Sequence, residues 1–248
     1  MKIIEAIWEK RNLGVTTQEV TIEITDNISD LLKLKALLSE YQVVKLPIDR
    51  ADFIFQIQNI GFNFAEIIYE SQHNLSEPIL YGPINRLKDN FCYARVELAD
   101  IDRIKTRILD GIFRTDRVAL DPNFGVLDAG KRYVGWLADE IDSGSYVFEL
   151  RYKNNSYAFF VMSVKEKVCY GRIGGVYLNT KGFGLGILLN YYEIVVAREL
   201  GCTSLTTSFS SNNNPIYLIN EMLGYKTRPT FNIFVRHNRQ PLKSPCQI

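Results

Sequence analysis

The residues whose types and spacing suit chemistry lie in one run, 168–186, which reads Val-Cys-Tyr-Gly-Arg-Ile-Gly-Gly-Val-Tyr-Leu-Asn-Thr-Lys-Gly-Phe-Gly-Leu-Gly. Gly182, Gly184 and Gly186 stand at alternate positions, so no Cβ there holds a ligand off the backbone. An apolar run over residues 187–200 follows at once and reads as a helix. The first turn of such a helix has N–H groups without intrahelical partners and carries the positive end of the dipole. Strand, glycine loop and helix N-terminus together make an anion cradle, most often for phosphate. The Gly-x-Gly-x-Gly spacing departs from the Gly-x-Gly-x-x-Gly of a dinucleotide site, and no Gly-Lys-Ser/Thr closes a P-loop. A tight strand-to-helix turn without a ligand carries the same residues.

The elements that must position this run follow from the rest of the chain. Residues 18–26 alternate as a strand, and Ser29 is placed to cap a helix over about 30–41. Residues 42–46 form a short buried strand broken by Pro47, 51–60 a helix ended by Gly61, and 62–71 another strand. This β-α-β-α-β unit occupies residues 1–75. Residues 76–91 hold two prolines and a glycine without a clear period and read as a linker, with residues 92–248 beyond it. There a strand (92–98) leads to a helix (99–109) with Ile101, Ile104 and Ile108 on one face. After a break at Asp121-Pro122 comes a helix over 128–141 carrying Trp136. Strands at 145–153, 157–165 and 168–179, joined by short polar turns, form an antiparallel meander. The glycine loop, its helix and a strand at 204–209 come next. Pro215 opens a short helix that ends at Gly224, and strands at 225–228 and 231–236 flank a turn at Pro229. The fold class is α/β (α+β), a mixed and mostly antiparallel sheet with flanking helices.

Composition narrows the function. The chain has 248 residues and a net charge of +1, which offers no electrostatic basis for binding nucleic acid or an anionic membrane. Cys92, Cys169, Cys202 and Cys246 are scattered without a Cys-x-x-Cys pair, and His73 and His237 give no zinc spacing, so no metal is expected. Neither a signal peptide nor an apolar run of about 18 residues is present, so the expectation is a soluble cytoplasmic protein.

From Cys92 onward the order β-α-α-β-β-β-(Gly loop)-α-β-α-β-β resembles the GNAT acetyltransferase superfamily. The motifs that carry this are Lys181-Gly-Phe-Gly-Leu-Gly186, at the superfamily's Gln/Arg-x-x-Gly-x-Gly/Ala loop, and Asn213-Asn-Pro-Ile-Tyr-Leu-Ile-Asn-Glu-Met-Leu-Gly-Tyr225. Within it, the chain is similar to the dTDP-fucosamine acetyltransferase group, whose members carry a truncated GNAT-like half before the complete domain. Trp8-Glu-Lys-Arg-Asn-Leu-Gly14, Ile60-Gly-Phe62 and Phe113-Arg114 before a Trp-bearing helix match that group in order.

The resemblance implies acetyl transfer from acetyl-CoA to an amine, the acceptor being a nucleotide-linked (dTDP) amino-deoxysugar of surface polysaccharide synthesis. It places the coenzyme's diphosphate on Lys181, Gly182, Phe183, Gly184, Leu185, Gly186 and Ile187. The pantetheine arm then lies along backbone groups of Gly175, Val176, Tyr177 and Leu178, with Asn213 as a further contact or a helix cap. Arg114 and Arg117 are the candidates for the sugar nucleotide's phosphates, which suit the guanidinium fork. Glu149 and Glu166 stand on or beside the meander as candidate bases. Many members place a tyrosine acid four residues before the closing glycine, a position held here by Asn220. An amide gives no proton to a thiolate, although it donates a hydrogen bond. Tyr217, three residues earlier on nearly the same helix face, brings a hydroxyl to that region or serves as a core aromatic. Another small amine or peptide as acceptor, a non-catalytic acyl-CoA-binding module and a homodimer are all compatible with the resemblance.

Overall fold

The computed structural model describes residues 1–80, 82–153, 155–178 and 184–238. Among them one ten-stranded sheet is built from β1 (Lys2–Glu5), β2 (Thr17–Thr21), β3 (Tyr41–Pro47), β4 (Asn63–His73), β5 (Cys92–Arg95), β6 (Tyr146–Tyr152), β7 (Asn155–Lys165), β8 (Val168–Val176), β9 (Ser204–Ser210) and β10 (Lys226–His237). Their spatial order is β1-β2-β3-β10-β4-β9-β8-β7-β6-β5. The pairs β2–β3 and β8–β9 are parallel, and the other neighbours are antiparallel. Strand β4, made early in the chain, lies between β9 and β10, and β10 in turn pairs with β3.

Side chains alternate across the pleat, so consecutive apolar residues bury both faces of the central strands. On one face Phe148, Ala158, Phe160, Met162, Cys169 and Leu205 pack under α8 (Leu185–Glu199), beside which α9 (Asn214–Leu223) lies. On the other face Val147, Phe159, Val161 and Ile173 pack under α5 (Ile101–Leu109) and α7 (Val126–Asp142). Helix α5 has nine residues, too few to persist alone, and is held by Ile101, Ile104 and Ile108. Each of these buried side chains contributes about 1.5–3 kcal/mol. The first third has its own cluster, in which Val20, Leu34, Val44, Leu46, Phe53 and Ile57 meet Phe234 of β10.

The structure departs from the sequence expectations at four places. Strand β1 and helix α1 (Ile7–Leu13) precede the first expected strand. Asn27, not Ser29, caps the next helical stretch, with Asp30 completing a capping box, and α2 (Leu32–Lys35) ends well before Tyr41. The expected linker contains α4 (Gly82–Lys88). Pro229 lies at a bulge rather than a turn: the register shifts between Pro229 and Phe231 and β10 continues through it. A residue without an N–H is tolerated at such a bulge. No helix among the described residues is long and apolar enough to cross a membrane.

Candidate functional site

Strands β8 and β9 pair only from Val168–Gly171 to Ser204–Thr207. Beyond Gly171 and Thr207 they part: β8 runs on along β7 to Val176, while β9 runs on along β4 to Ser210. A bulge starts the parting. Val161 of β7 faces Ile173 and Met162 faces Gly171, so Arg172 is the extra residue that bends β8. From Arg172 to Val176 the edge of β8 that faces β9 has no strand partner among the described residues. Thr207 occupies the space of the side chain that Gly171 lacks, 3.3 Å from where a Cβ would stand.

The gap has two faces. On the side of α5 and α7 it is crossed by residues 112–115: Ile112 and Phe113 lie on Gly175, and the Thr115 carbonyl accepts from the Ser210 hydroxyl at 3.4 Å. Phe113 stacks on Tyr133 of α7 with ring centroids 3.7 Å apart. On the side of α8, Glu193 presents one carboxylate oxygen to Gly174 and the other to Gly171, 3.5 and 3.7 Å from the positions of their absent Cβ atoms. Glu193 is 5% exposed, and burial pushes its carboxyl up to about 8. It was missed in the sequence, although a lone carboxylate between Tyr192 and Ile194 in an otherwise apolar run is a visible signal.

Helix α8 starts beside this gap. Its N-cap, Gly184, has φ +69°, which favours glycine, and the space of its missing side chain is open except for Ile84 at 3.8 Å. Gly186 serves a different purpose: a Cβ there would meet Ile219 of α9 at 2.9 Å, so its small size lets α8 and α9 approach. Leu185 and Ile187 complete the first turn. Lys181, Gly182 and Phe183 lie outside the described residues.

The other candidate residues divide by placement. Gly175 and Val176 end β8, and the Tyr177 N–H donates to the Tyr157 carbonyl at 2.9 Å, with Leu178 following. The Tyr177 ring is buried on the α5 side. Asn213 begins α9 without a side-chain cap bond. Tyr217 is half-buried, edge-on to Tyr69, which stacks on Phe209 of β9. Its hydroxyl is pushed above the usual tyrosine value, chiefly by Glu221. Asn220 is fully buried; its Nδ2 donates to Ser71 Oγ at 3.0 Å, and its Oδ1 has no partner among the described residues. Ser71 pairs with Thr207, so Asn220 stands one strand from the point of parting. Arg114 is exposed at the crossing segment, with Nε donating to the Gly111 carbonyl at 2.7 Å.

Arg117, on α6 (Arg117–Leu120), is instead held in a buried ionic cluster. It reaches Glu9 at 3.1 Å, Glu19 at 3.5 Å and Glu66 at 4.0 Å. Arg132 pairs with Glu9 and Asp116, and Lys45 with Glu19. Its guanidinium faces carboxylates, which leaves no fork for a phosphate. Burial raises the Glu66 carboxyl, and its Oε2 has no hydrogen-bond partner among the described residues. Glu149 accepts from Arg103, Arg151, Ser156 and Tyr177 on β6, two strands from the gap. Glu166 lies in the β7–β8 turn, at the paired end of β8. Neither candidate base borders the gap.

No protein-family model and no curated protein matches the sequence. Solved structures do match by shape. A GCN5-related N-acetyltransferase from Kribbella flavida aligns with TM-score 0.55 and 14% identity over 92% of this chain and 83% of that one. One from Sphaerobacter thermophilus aligns with TM-score 0.57 and 9% identity over 82% and 61%. A fungal GCN5-related glucosamine N-acetyltransferase region aligns with TM-score 0.59 and 13% identity over 78% of this chain and 25% of its multi-domain parent. The parted parallel strands and the helix beginning beside them thus belong to an architecture already known: the chain has the fold of the GCN5-related N-acetyltransferases.

Proposed function

We propose that the protein is an acetyl-CoA-dependent N-acetyltransferase, and the parting of β8 from β9 beside the start of α8 carries this reading. The free edge of β8 offers N–H and C=O groups to an amide-bearing arm as it would to another strand. Gly175, Val176 and Leu178 act there through their backbone, and Tyr177, whose N–H is taken by the Tyr157 carbonyl, holds this stretch beside β7. Residues 181–187 hold the diphosphate against the first-turn N–H groups of α8, and Asn213 contacts the arm. The amine approaches from the side of residues 112–115 and attacks the thioester carbonyl. Its nitrogen lone pair forms the amide bond as the C–S bond breaks. The resemblance puts the acid position at Asn220, whose amide has no proton to give, and Tyr217, on nearly the same helix face, is one candidate to protonate the sulfur.

The acceptor in this reading is a dTDP-linked amino-deoxysugar of surface polysaccharide synthesis, made in the cytoplasm. It rests on the sequence resemblance, with Arg114 exposed at the gap as phosphate contact. One structural neighbour is named for glucosamine, itself an amino sugar. Residues 92–248 form the transferase domain, residues 76–91 a linker, and residues 1–75 a truncated GNAT-like unit that lends strands to the sheet. A second reading, a non-catalytic acyl-CoA-binding module, is favoured by one observation, the engagement of Asn220 with Ser71.

Calorimetric titration with acetyl-CoA tests the donor half. The parent protein binds, and Gly184→Glu, which puts a carboxylate and a strained backbone at the cradle, weakens binding at least about tenfold, or about 1.4 kcal/mol. No binding by the parent removes the enzyme reading. Mass spectrometry over a panel of amines tests the acceptor half: acetylation of non-sugar amines alone sinks the sugar assignment. Tight binding with no product on any amine favours the non-catalytic module.

A further inference from the structure

Glu193 sits mid-helix in α8, and among the described residues nothing donates to its carboxyl or pairs with it. An ionised carboxylate in that setting costs several kcal/mol, and an apolar side chain of the same size avoids the cost. The group therefore keeps a proton at neutral pH, consistent with the upward shift that burial alone produces. Gly171 and Gly174 hold no side chain between the carboxyl and β8, and Gly171 is the last residue of β8 paired with β9. The carboxyl thus lies beneath the point where the strands part.

Its titratable neighbours do not share this property. Cys169 of β8 and Tyr225, just before β10, are raised by burial far enough to stay protonated at neutral pH. His73 of β4, packed on Tyr225 with ring centroids 4.9 Å apart, is pushed down by burial and stays neutral. Compared with Cys169, Tyr225 and His73, Glu193 is the group whose carboxyl, at about 8, releases a proton in the range where a thiol, ordinarily near 8.5, takes one up. Acid catalysis is most effective with that match.

We propose that Glu193 is the acid that protonates the departing sulfur in the acetyl transfer, a role that rests on the acetyltransferase reading. As the amine nitrogen bonds to the carbonyl carbon, the C–S bond breaks and its electron pair goes to sulfur. The Glu193 carboxyl proton passes to that sulfur and completes the thiol. The amine's proton leaves to solvent, and the Glu193 carboxylate takes a proton back from solvent for the next turnover. Asn220, at the superfamily's acid position, has no proton to give, and Glu193 supplies one from the neighbouring helix.

The test compares the parent with Glu193→Gln, Glu193→Asp and Tyr217→Phe. Without substrate, carbon-13 NMR of labelled glutamate shows one carboxyl titrating near pH 8 that is missing in Glu193→Gln. In steady-state assays, Glu193→Gln lowers kcat with acetyl-CoA by about 100-fold or more. The dissociation constant of acetyl-CoA, by calorimetry, stays within about threefold. The fall in kcat above pH 8 disappears in Glu193→Gln and moves in Glu193→Asp, which keeps an acid should the glutamine variant fold poorly. With an aryl thioacetate, whose thiolate leaves without a proton, the loss in Glu193→Gln shrinks to below about tenfold. A carboxyl that titrates below pH 6, an unchanged kcat and pH limb, or a leaving-group dependence that follows Tyr217→Phe instead overturns the assignment. Failure of the parent to bind acetyl-CoA removes the acetyltransferase reading, and this proposal falls with it. Binding and turnover by the parent with no effect at Glu193 removes this proposal alone.

Discussion

Replacing Arg117 with methionine removes the cation that touches three of four buried carboxylates, while keeping an unbranched chain in the core. Glu9 retains Arg132 at 2.8 Å and Glu19 retains Lys45 at 2.7 Å, but Glu66 has no other ion pair among the described residues. Breaking a buried pair from one side destabilises by about 3–5 kcal/mol. For a chain of this size that lowers the melting temperature by about 6–20 °C. The sign of the pH dependence follows from the same groups. Burial pulls Glu19 upward, and Arg117 and Lys45 outweigh it, so its folded pKa lies below the usual carboxylate value. Such a group adds stability above its unfolded value, about 4.3, and loses it as pH falls through the folded value. Without Arg117, Glu19 loses the strongest of the cations that hold it low and Glu66, already raised by burial, rises further, so acidification relieves the variant by protonating them. The gap between parent and variant is therefore widest near neutral pH and narrows toward pH 4.5. Urea denaturation followed by circular dichroism at both values measures it. A loss under about 1 kcal/mol at neutral pH, or a gap that widens on acidification, refutes the reasoning.

Two further substitutions probe the gap itself. In Gly175→Ala the new Cβ meets Ile112 Cδ1 at 2.7 Å and the Phe113 ring at 3.4 Å, so stability falls by about 1–3 kcal/mol in calorimetric melts. An unchanged melting temperature would remove residues 112–115 from the face of β8. Tyr225→Phe deletes a buried hydroxyl that has no partner among the described residues, so the variant is as stable as the parent or more stable by up to about 1 kcal/mol. A clear loss in urea melts would show that the hydroxyl is bonded.

What was legible in the sequence is local. The meander of β6, β7 and β8 follows from apolar runs between polar turns, and α5 from the spacing of its three isoleucines. The glycines before α8 announced a strand-to-helix turn, and Gly184 does adopt the left-handed conformation. What was not legible depends on partners distant in sequence. Nothing near residue 68 signals that β4 pairs with Ser210 on one edge and Phe231 on the other. Arg117 reads as a surface guanidinium until α1, β2 and β4 bring three glutamates to it. Pro229 suggests a turn because proline breaks ladders, but a bulge accommodates it within β10. Asn220 was located on its helix, while its bond to Ser71 required the register of β4.

The place of β4 has a consequence for synthesis on the ribosome. Both of its edges are covered by strands that emerge later, β9 ending at residue 210 and β10 at residue 237. At about 5–20 residues per second, roughly 8–33 s separate the appearance of β4 from that of its last partner. During that interval an eleven-residue strand presents two open ladders, the kind of surface that recruits other nascent chains or chaperones. The arrangement that joins the two ends of the chain in the finished sheet therefore sets the stage of translation before which the sheet cannot close.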